Sequence, residues 1–269
     1  MNLRLAGKRA LVTGSSSGIG TGIARMLAAE GVRVVVTGRD HVRVEAVAQS
    51  LRESGGDVVA VVGDLSSDVE AANVALAALT AFGGIDILVN NAGGGSQTEN
   101  RGWFGTTPDD WLESYERNMV SAVRMAEALV PGMKTSGWGR VINISTAAAL
   151  TPTSAQADYG PAKLAMLSWS LGLSKALSMT GVTCNAVSPG MIRTEGLEKF
   201  LSYFAAKRGW GDDIRRAADY VAQGGGQTVS RIGEIDDIAY AVTMLASPLS
   251  DFINGTNIHV DGGLSRSVA

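Results

Sequence analysis

The sequence is short of the residues that most often build metal centres, disulfides and nucleophilic triads. It has one cysteine, Cys184, and two histidines, His41 and His259, in 269 residues. A single thiol forms no internal disulfide. Cys184 lies in the stretch GVTCNAVSPG with no histidine near it, and it reads as a small buried strand residue rather than a nucleophile. Two distant histidines and one cysteine make no metal-ligand cluster. A Ser-His-acid hydrolase is equally poorly supported, because Ser145, in NISTA, lacks the Gly-x-Ser-x-Gly elbow. No run approaches the roughly 18 apolar residues of a membrane span. The first residues, MNLRLAGKRALVTG, carry basic groups without the apolar core and cleavage site of a signal peptide. Charged residues make up 18% and the net charge is −3, with both signs mixed along the chain, so no electrostatic footprint for nucleic acid or an anionic membrane is present. The expectation is a cytoplasmic protein that binds neither, with a small molecule as its ligand.

What the sequence does have is alternation. The β-branched runs RALVTG, RVVVTG, DVVAVVGD, IDILVNNAG, GRVINIS, GVTCNAVSPG and TNIHVDGG are separated by longer amphipathic segments at 18–30, 41–54, 67–82, 111–135 and 156–180. Runs such as Val34-Val35-Val36 and Ile85 to Val89 are apolar on both faces, as strands of a buried parallel sheet are. The expected fold is α/β: a doubly wound, Rossmann-like parallel sheet of about seven strands with helices on both faces. One domain spans residues 1–269, a length that α/β folds reach undivided. Two excursions, 93–110 and 193–230, break the rhythm, and in open α/β sheets such segments beyond strand ends are where ligands bind. The second is the expected substrate loop or lid.

Glycine is plentiful, at 34 residues, and its placement matters. In ALVTGSSSGIGTGIARMLAAEG, Gly14, Ser16, Ser17, Gly18, Ile19 and Gly20 join the first strand to the first helix. A backbone passing close to a pyrophosphate needs residues without Cβ, and the free N–H groups of the helix start then meet the negative charge. A tight strand-to-helix turn with no ligand is the plainer alternative. About twenty residues on, where an acid would bind a ribose 2′-hydroxyl, VVVTGRD places Gly38 and then Arg39. A guanidinium suits a 2′-phosphate, which favours NADP(H), with NAD(H) possible. The competing assignment leaves Arg39 in solvent and gives the ribose to Asp40.

The ordered set Thr13-Gly14-x3-Gly18-Ile19-Gly20, Asp64-Leu65, Asn90-Asn91-Ala92-Gly93, Asn118, Ser145, Tyr159-x3-Lys163 and Pro189-Gly190 resembles the short-chain dehydrogenase/reductase family. The match runs from about Leu5 to Gly263, and the sequence is most similar to the single-domain branch that includes β-ketoacyl-carrier-protein reductases. The resemblance implies that Asp64 contacts the adenine, that Leu65 lends backbone to the same ring, and that the Asn90, Asn91, Ala92, Gly93 turn supports the adenosine. It implies that backbone at Ile192, just after Pro189-Gly190, holds the nicotinamide amide, with Thr194 reaching the amide or pyrophosphate. Lys163 would also grip the nicotinamide ribose, and Asn118 would hold a water that relays protons. A homotetramer or dimer is the implied assembly.

The chemistry of the candidate catalytic residues Asn118, Ser145, Tyr159 and Lys163 can be argued without the family. Hydride reduction of a ketone builds negative charge on its oxygen, so the site needs a proton donor and a hydrogen-bond donor aimed there. Tyr159 and Ser145 are of the right types. A free phenol has a pKa of about 10, too high for a base near neutrality, and an ammonium four residues on along a helix would stabilise the phenolate. Gly160 and Pro161 lie between the pair, and both disfavour helix interiors. The conflict disappears if the helix begins near Ala157 or Asp158, because its first N–H groups have no internal partners. The second reading of the whole is a dinucleotide-binding regulatory protein without turnover on the same fold. For the substrate, Trp103, Phe104, Met191, Phe200, Tyr203, Phe204 and Trp210 fall in the two excursions, where they line an apolar pocket or pack the lid and a subunit contact. The first option predicts an apolar or aromatic ketone or secondary alcohol.

Overall fold

The structure, a computed structural model, describes residues 2–95, 102–152 and 157–265. Among these, seven runs rich in valine, isoleucine and leucine form strands: β1 (Arg9–Val12), β2 (Arg33–Gly38), β3 (Val58–Val62), β4 (Ile87–Asn90), β5 (Gly139–Ile144), β6 (Val182–Pro189) and β7 (Asn257–Val260). They make one sheet in the order β3-β2-β1-β4-β5-β6-β7. Every pairing is parallel. Parallel strands carry helices on both faces and are buried on both, which is why these runs do not alternate apolar with polar. Val34, Val35, Val36, Leu88 and Val141 have no exposed surface.

The helices are α1 (Gly18–Ala29), α2 (His41–Glu53), α3 (Asp68–Phe82), α4 (Pro108–Tyr115), α5 (Ser121–Ser136), α6 (Tyr159–Ala176), α7 (Glu195–Lys207), α8 (Ile214–Gly225) and α9 (Ile235–Ala246). One face of the sheet buries Ile23 and Leu27 of α1, Val44 of α2, and Ile238 and Val242 of α9. The other buries Val74 of α3, and Met125, Leu129 and Met133 of α5. Ser67 caps α3, and Thr107 and Asp110 form a reciprocal capping box on α4 with Pro108 in its first turn. Among the described residues no helix is long and apolar enough to cross a membrane.

The chain runs outward from β1 to β3 and then returns to the other side of β1, so the strand order reverses between β1 and β4. Diverging connections leave a crevice at the carboxyl ends of those two strands, and the Gly-rich turn and the Asn91–Gly93 segment emerge there.

One local feature departs from the sequence expectation and two give it finer bounds. The segment at 111–135 is not one helix: a π turn at Glu116–Val120 separates α4 from α5. The segment at 156–180 is helical only over Tyr159–Ala176, and its ladder opens with Ala162 N donating to Asp158 O at 3.2 Å. Pro161 therefore sits in the first turn, where its missing N–H costs nothing, as the early helix start requires. The 193–230 segment forms α7 and α8, whose Leu201, Ala205, Ala217, Ala218 and Ala222 are buried together with Ile232.

Candidate active site

The turn after β1 is tight for a demonstrable reason. Gly14 has φ +62°, and a Cβ there would lie 2.9 Å from Ala92 Cα. At Gly20 a Cβ would lie 2.5 Å from both Gly14 O and Asn91 Nδ2, so neither position accepts a side chain. Thr13 Oγ1 donates to Val89 O at 3.2 Å and accepts from the N–H groups of Asn91 and Ala92, each at 2.9 Å. Asn91 Nδ2 donates to Thr13 O at 2.9 Å and Gly14 O at 3.1 Å, and is thereby used in bracing the turn. Asn90 is directed away, donating to Asn143 Oδ1 at 2.8 Å inside the sheet. Ser15 Oγ donates to Val12 O at 2.7 Å and accepts from Thr37 N at 2.9 Å, which ties the turn to β2. Ser17 precedes α1 without a side-chain cap bond, so the N–H groups of the first turn keep their capacity for an anion.

A cavity of about 170 Å³ follows, lined by Gly14, Ser16, Ser17, Arg39, Asp64, Leu65, Ala92, Gly93 and Arg117 among others. A Cβ at Gly38 would lie 2.5 Å from Ser16 Oγ, so the place of a ribose-binding acid is closed by packing. Arg39 beside it is 72% exposed, with only a loose approach of 3.9 Å to Asp64. Asp40 caps α2, its Oδ1 accepting from Val42 N at 2.9 Å and Arg43 N at 3.2 Å. Burial works against ionising Asp64. The N–H and hydroxyl of Ser66, at 2.9 and 2.6 Å, and the charge of Arg39 outweigh that penalty and hold the carboxylate below its usual range. Ile19 packs partly buried against the core beneath.

On the far side, β6 ends at Pro189, and Gly190 N donates to Val260 O at 3.0 Å. A Cβ at Gly190 would lie 2.6 Å from Asp261 Cα. Ile192 is buried and bridges to Gly233. Thr194 caps α7 by accepting from Leu197 N at 3.3 Å, and its methyl lies 3.6 Å from where a Cβ on Gly18 would be. The residue that caps α7 is thus seated against the Gly-rich turn.

Asn118, Ser145, Tyr159 and Lys163 converge from three elements. The π turn carries Asn118, which is fully buried. Its Oδ1 accepts from Gly94 N at 3.0 Å, and its Nδ2 donates to Ser114 O at 3.0 Å and Gly94 O at 3.2 Å. Single π turns inside helices are frequent at functional sites, where the extra residue re-aims a side chain. Lys163 Nζ, also buried, donates to Ile144 O at 2.9 Å. Ser145 Oγ donates to Lys163 O at 3.1 Å. The Tyr159 phenol lies near enough to the Thr146 hydroxyl for that group to stabilise its ionised form. Lysine and tyrosine therefore approach consecutive residues at the end of β5, Lys163 meeting Ile144 and Ser145 and Tyr159 meeting Thr146. Gly93 closes the group: φ is +147°, and a Cβ there would lie 2.4 Å from Asn118 Oδ1 and 3.2 Å from Lys163 Nζ.

Electrostatics here differ from the simple ammonium–phenolate pair expected from spacing. Burial lowers the Lys163 pKa from 10.5 to about 7, because the charged amine loses water and gains one carbonyl. Burial likewise raises the Tyr159 pKa, opposed by the Thr146 hydroxyl and the charge of Arg117. The lysine is half protonated at neutrality, so its help to the phenolate depends on pH. Burial also pushes the Cys184 thiol up to about 12, as befits a core residue.

The aromatic residues of the excursions do not form one pocket wall. Phe204, Trp210 and Tyr220 pack on one another with ring centroids 5.4 to 6.0 Å apart. Arg208 lies over all three. Phe200 and Tyr203 face solvent, Phe104 is fully exposed, and Trp103 meets Trp111 edge-on. Met191 packs against the lid core. Internal lid packing thus accounts for Phe204 and Trp210. Sequence reasoning passed over Arg117 and Thr146; the only available signals were their positions next to Asn118 and Ser145.

Comparison with known proteins agrees with this geometry. A family model described as enoyl-(acyl carrier protein) reductase matches residues 14–265. The oxidoreductase YvaG of Bacillus subtilis (strain 168) is 35% identical over 268 residues, covering 100% of both chains. The 3-oxoacyl-[acyl-carrier-protein] reductase FabG of Vibrio cholerae is 33% identical over 263 residues, 97% of this chain and 99% of the relative. The crystal structure of L-sorbose reductase from Gluconobacter frateurii, complexed with NADPH and L-sorbose, superposes with a TM-score of 0.93 at 30% identity over 100% of both chains. The chain belongs to the short-chain dehydrogenase/reductase family and is an oxidoreductase of the kind that acts on CH–OH groups.

Proposed function

We propose that the protein interconverts a ketone and a secondary alcohol with NADP(H), Tyr159 being the acid/base. The observation that carries this is the convergence of Tyr159 and Lys163 on Ile144–Thr146 beside a crevice whose glycines admit no side chain. The residues fit a dinucleotide: Gly14 and Gly20 make a cradle that a Cβ would fill, the first turn of α1 offers free N–H groups, and Arg39 with Ser16 replaces the ribose acid. Asp64 and Leu65 would border the adenine, Asn91, Ala92 and Gly93 the adenosine, and Pro189, Gly190, Ile192 and Thr194 the nicotinamide end. The complex of the sorbose reductase relative with NADPH supports the same preference here. When bound, the dinucleotide supplies or accepts the hydride.

The chain's own residues handle the proton. In reduction, the Tyr159 O–H bond breaks and its proton passes to the alkoxide oxygen, leaving the phenolate; in oxidation the phenolate takes the alcohol proton. Ser145 Oγ, bonded in this structure to Lys163 O, needs a turn about its Cα–Cβ bond to donate to the same oxygen. Asn118 holds the loop at Gly94 and places Gly93 against Lys163. Lys163, while protonated, would supply positive charge beside the phenol and would hold the nicotinamide ribose. The named FabG relative reduces an oxoacyl group, and a phenol and a serine hydroxyl suit a carbonyl oxygen rather than a C=C bond.

The same proposal covers a single domain over 1–269, with 193–230 as the lid over the substrate, and a cytoplasmic location that fits one buried thiol. A homo-oligomer, dimer or tetramer, is supported by exposed Leu164 and Leu171 on α6 and by fully exposed Phe252 before β7. The test is oxidation of NADPH and NADH, in parallel, over a panel of ketones with an enoyl thioester as control. Turnover of ketones with a preference for NADPH is expected. Turnover of the enoyl thioester alone, or of nothing, rejects the reading.

A further inference from the structure

Two guanidinium groups line the dinucleotide crevice among the described residues, and only Arg39 has a role so far. The other, Arg117, shares the cavity with Asp64, Leu65, Ser66, Gly93 and Ser121. It belongs to the π turn, which is held against the segment after β3. Arg124 makes that tie, its Nη1 donating to Leu65 O at 3.2 Å and to Glu116, the neighbour of Arg117. The Arg117 side chain is 19% exposed, and its Nε is buried with no hydrogen-bond partner among the described residues. Its other contacts are long: Nη1 to Glu113 Oε1 at 3.4 Å and Nη2 to Gly95 O at 3.4 Å. A buried donor left unpaired is costly, and an acceptor entering the cavity would relieve it. Asp64 offers the opposite group. Its Oδ1 is taken by the N–H and hydroxyl of Ser66 at 2.9 and 2.6 Å, whereas Oδ2 has only the 3.9 Å approach of Arg39. One cavity therefore presents a carboxylate oxygen that only accepts and guanidinium N–H groups that only donate.

We propose that Arg117 binds the purine base of the dinucleotide, its guanidinium donating to a ring nitrogen while Asp64 accepts from the exocyclic amino group. This rests on the dinucleotide reading of the crevice. Adenine carries a 6-amino donor beside ring nitrogens that accept, and a free carboxylate oxygen with a free guanidinium matches that pairing. The anionic parts of the dinucleotide have partners elsewhere: Arg39 and Ser16 for a 2′-phosphate, and the first turn of α1 for the pyrophosphate. The Glu113 carboxylate, 3.4 Å from Nη1, offsets part of the charge on Arg117, which suits a neutral heterocycle better than a phosphate. Leu65 and Ala92 add apolar surface to the same cavity, as the faces of a base require. Arg124 does not compete for this role, because its guanidinium is engaged with Asp68, Glu116 and Leu65 O.

The test measures dissociation constants for wild type, Arg117→Met and Arg117→Lys with three ligands. NADPH and NADH are followed by fluorescence, and adenosine 2′-monophosphate, which has the base but no 5′-phosphate, by its displacement of NADPH. Arg117→Met should weaken all three by a similar factor, roughly tenfold, the worth of one hydrogen bond from a charged donor. Arg117→Lys keeps the charge but not Nε, and should weaken the same three by a smaller factor. A loss that spares NADH places Arg117 on the 2′-phosphate, and a loss that spares adenosine 2′-monophosphate places it on the pyrophosphate; either overturns the proposal. Unchanged affinities for all three also overturn it, and leave the dinucleotide reading intact. Should Arg117→Met fail to fold, the same pattern in Arg117→Lys decides. A wild-type protein that binds none of the three rejects the dinucleotide reading itself, and this proposal with it.

Discussion

Replacing Lys163 with methionine should abolish a rise in the stability of the cofactor-free protein between pH 7 and 9, the window set by its pKa of about 7. The amine titrates near 10.5 when exposed and near 7 when folded, because burial strips its water and, among the described residues, its hydrogen bond is to Ile144 O at 2.9 Å. Between those values the unfolded chain binds more protons than the native one, so stability climbs with pH. The limiting slope is about 1.4 kcal/mol per pH unit, and since the folded amine is half protonated at its own pKa, the gain over two units is about 2 kcal/mol. Cys184 works in the opposite direction from about pH 8, where an exposed thiol begins to ionise and the buried one, at about 12, does not, which takes roughly 0.5 kcal/mol off the gain by pH 9. The raised Tyr159 phenol does the same above pH 10. Urea denaturation at pH 7, 8 and 9 measures the effect, with Lys163→Met as the control that should show no rise and a slight fall toward pH 9. A wild-type protein with no rise, or a methionine variant with the same rise, would refute the assignment of a neutral buried amine.

Other positions give independent checks. Gly20→Ala would place a methyl 2.5 Å from Gly14 O and Asn91 Nδ2, so NADPH binding measured by fluorescence should be lost, with stability lowered by about 1–3 kcal/mol for overpacking. Arg39→Ala should raise the NADPH dissociation constant by roughly tenfold, the value of one charge-assisted contact, while leaving NADH binding unchanged. Cys184, fully buried with its thiol pushed to about 12, should react with a thiol reagent only at the rate of unfolding.

The sheet was legible because parallel strands leave an unmistakable record: Val34-Val35-Val36 has no polar position to hide, and each such run is followed by turn residues at the crevice. Gly14, Gly20 and Gly190 were legible as glycines, although the atoms that exclude a side chain, Ala92 Cα and Asp261 Cα, are far along the chain. Asn118, Ser145, Tyr159 and Lys163 could be picked out through the family resemblance and the Tyr-x3-Lys spacing, but their electrostatics could not. Ile144 O, which holds Lys163, is 19 residues away in sequence, and burial of the amine comes from packing that spacing does not reveal. The π turn is invisible to a period of 3.6, since one extra residue inside a helical run leaves the amphipathic pattern intact on either side. Arg117 was hidden for the same reason, because a charged residue in such a run reads as a solvated face. The lid aromatics found their partners in Tyr220 and Arg208, residues that an apolar stripe drawn on α7 alone does not include.

Tyr159→Phe removes one oxygen from a helix start that the Asp158–Ala162 bond holds independently of the phenol. Measured side by side, NADPH binding by fluorescence quenching should match wild type, and ketone turnover should fall by roughly 100-fold or more, the usual worth of a positioned general acid. Turnover within a few-fold of wild type at undiminished cofactor binding would contradict the account at its centre.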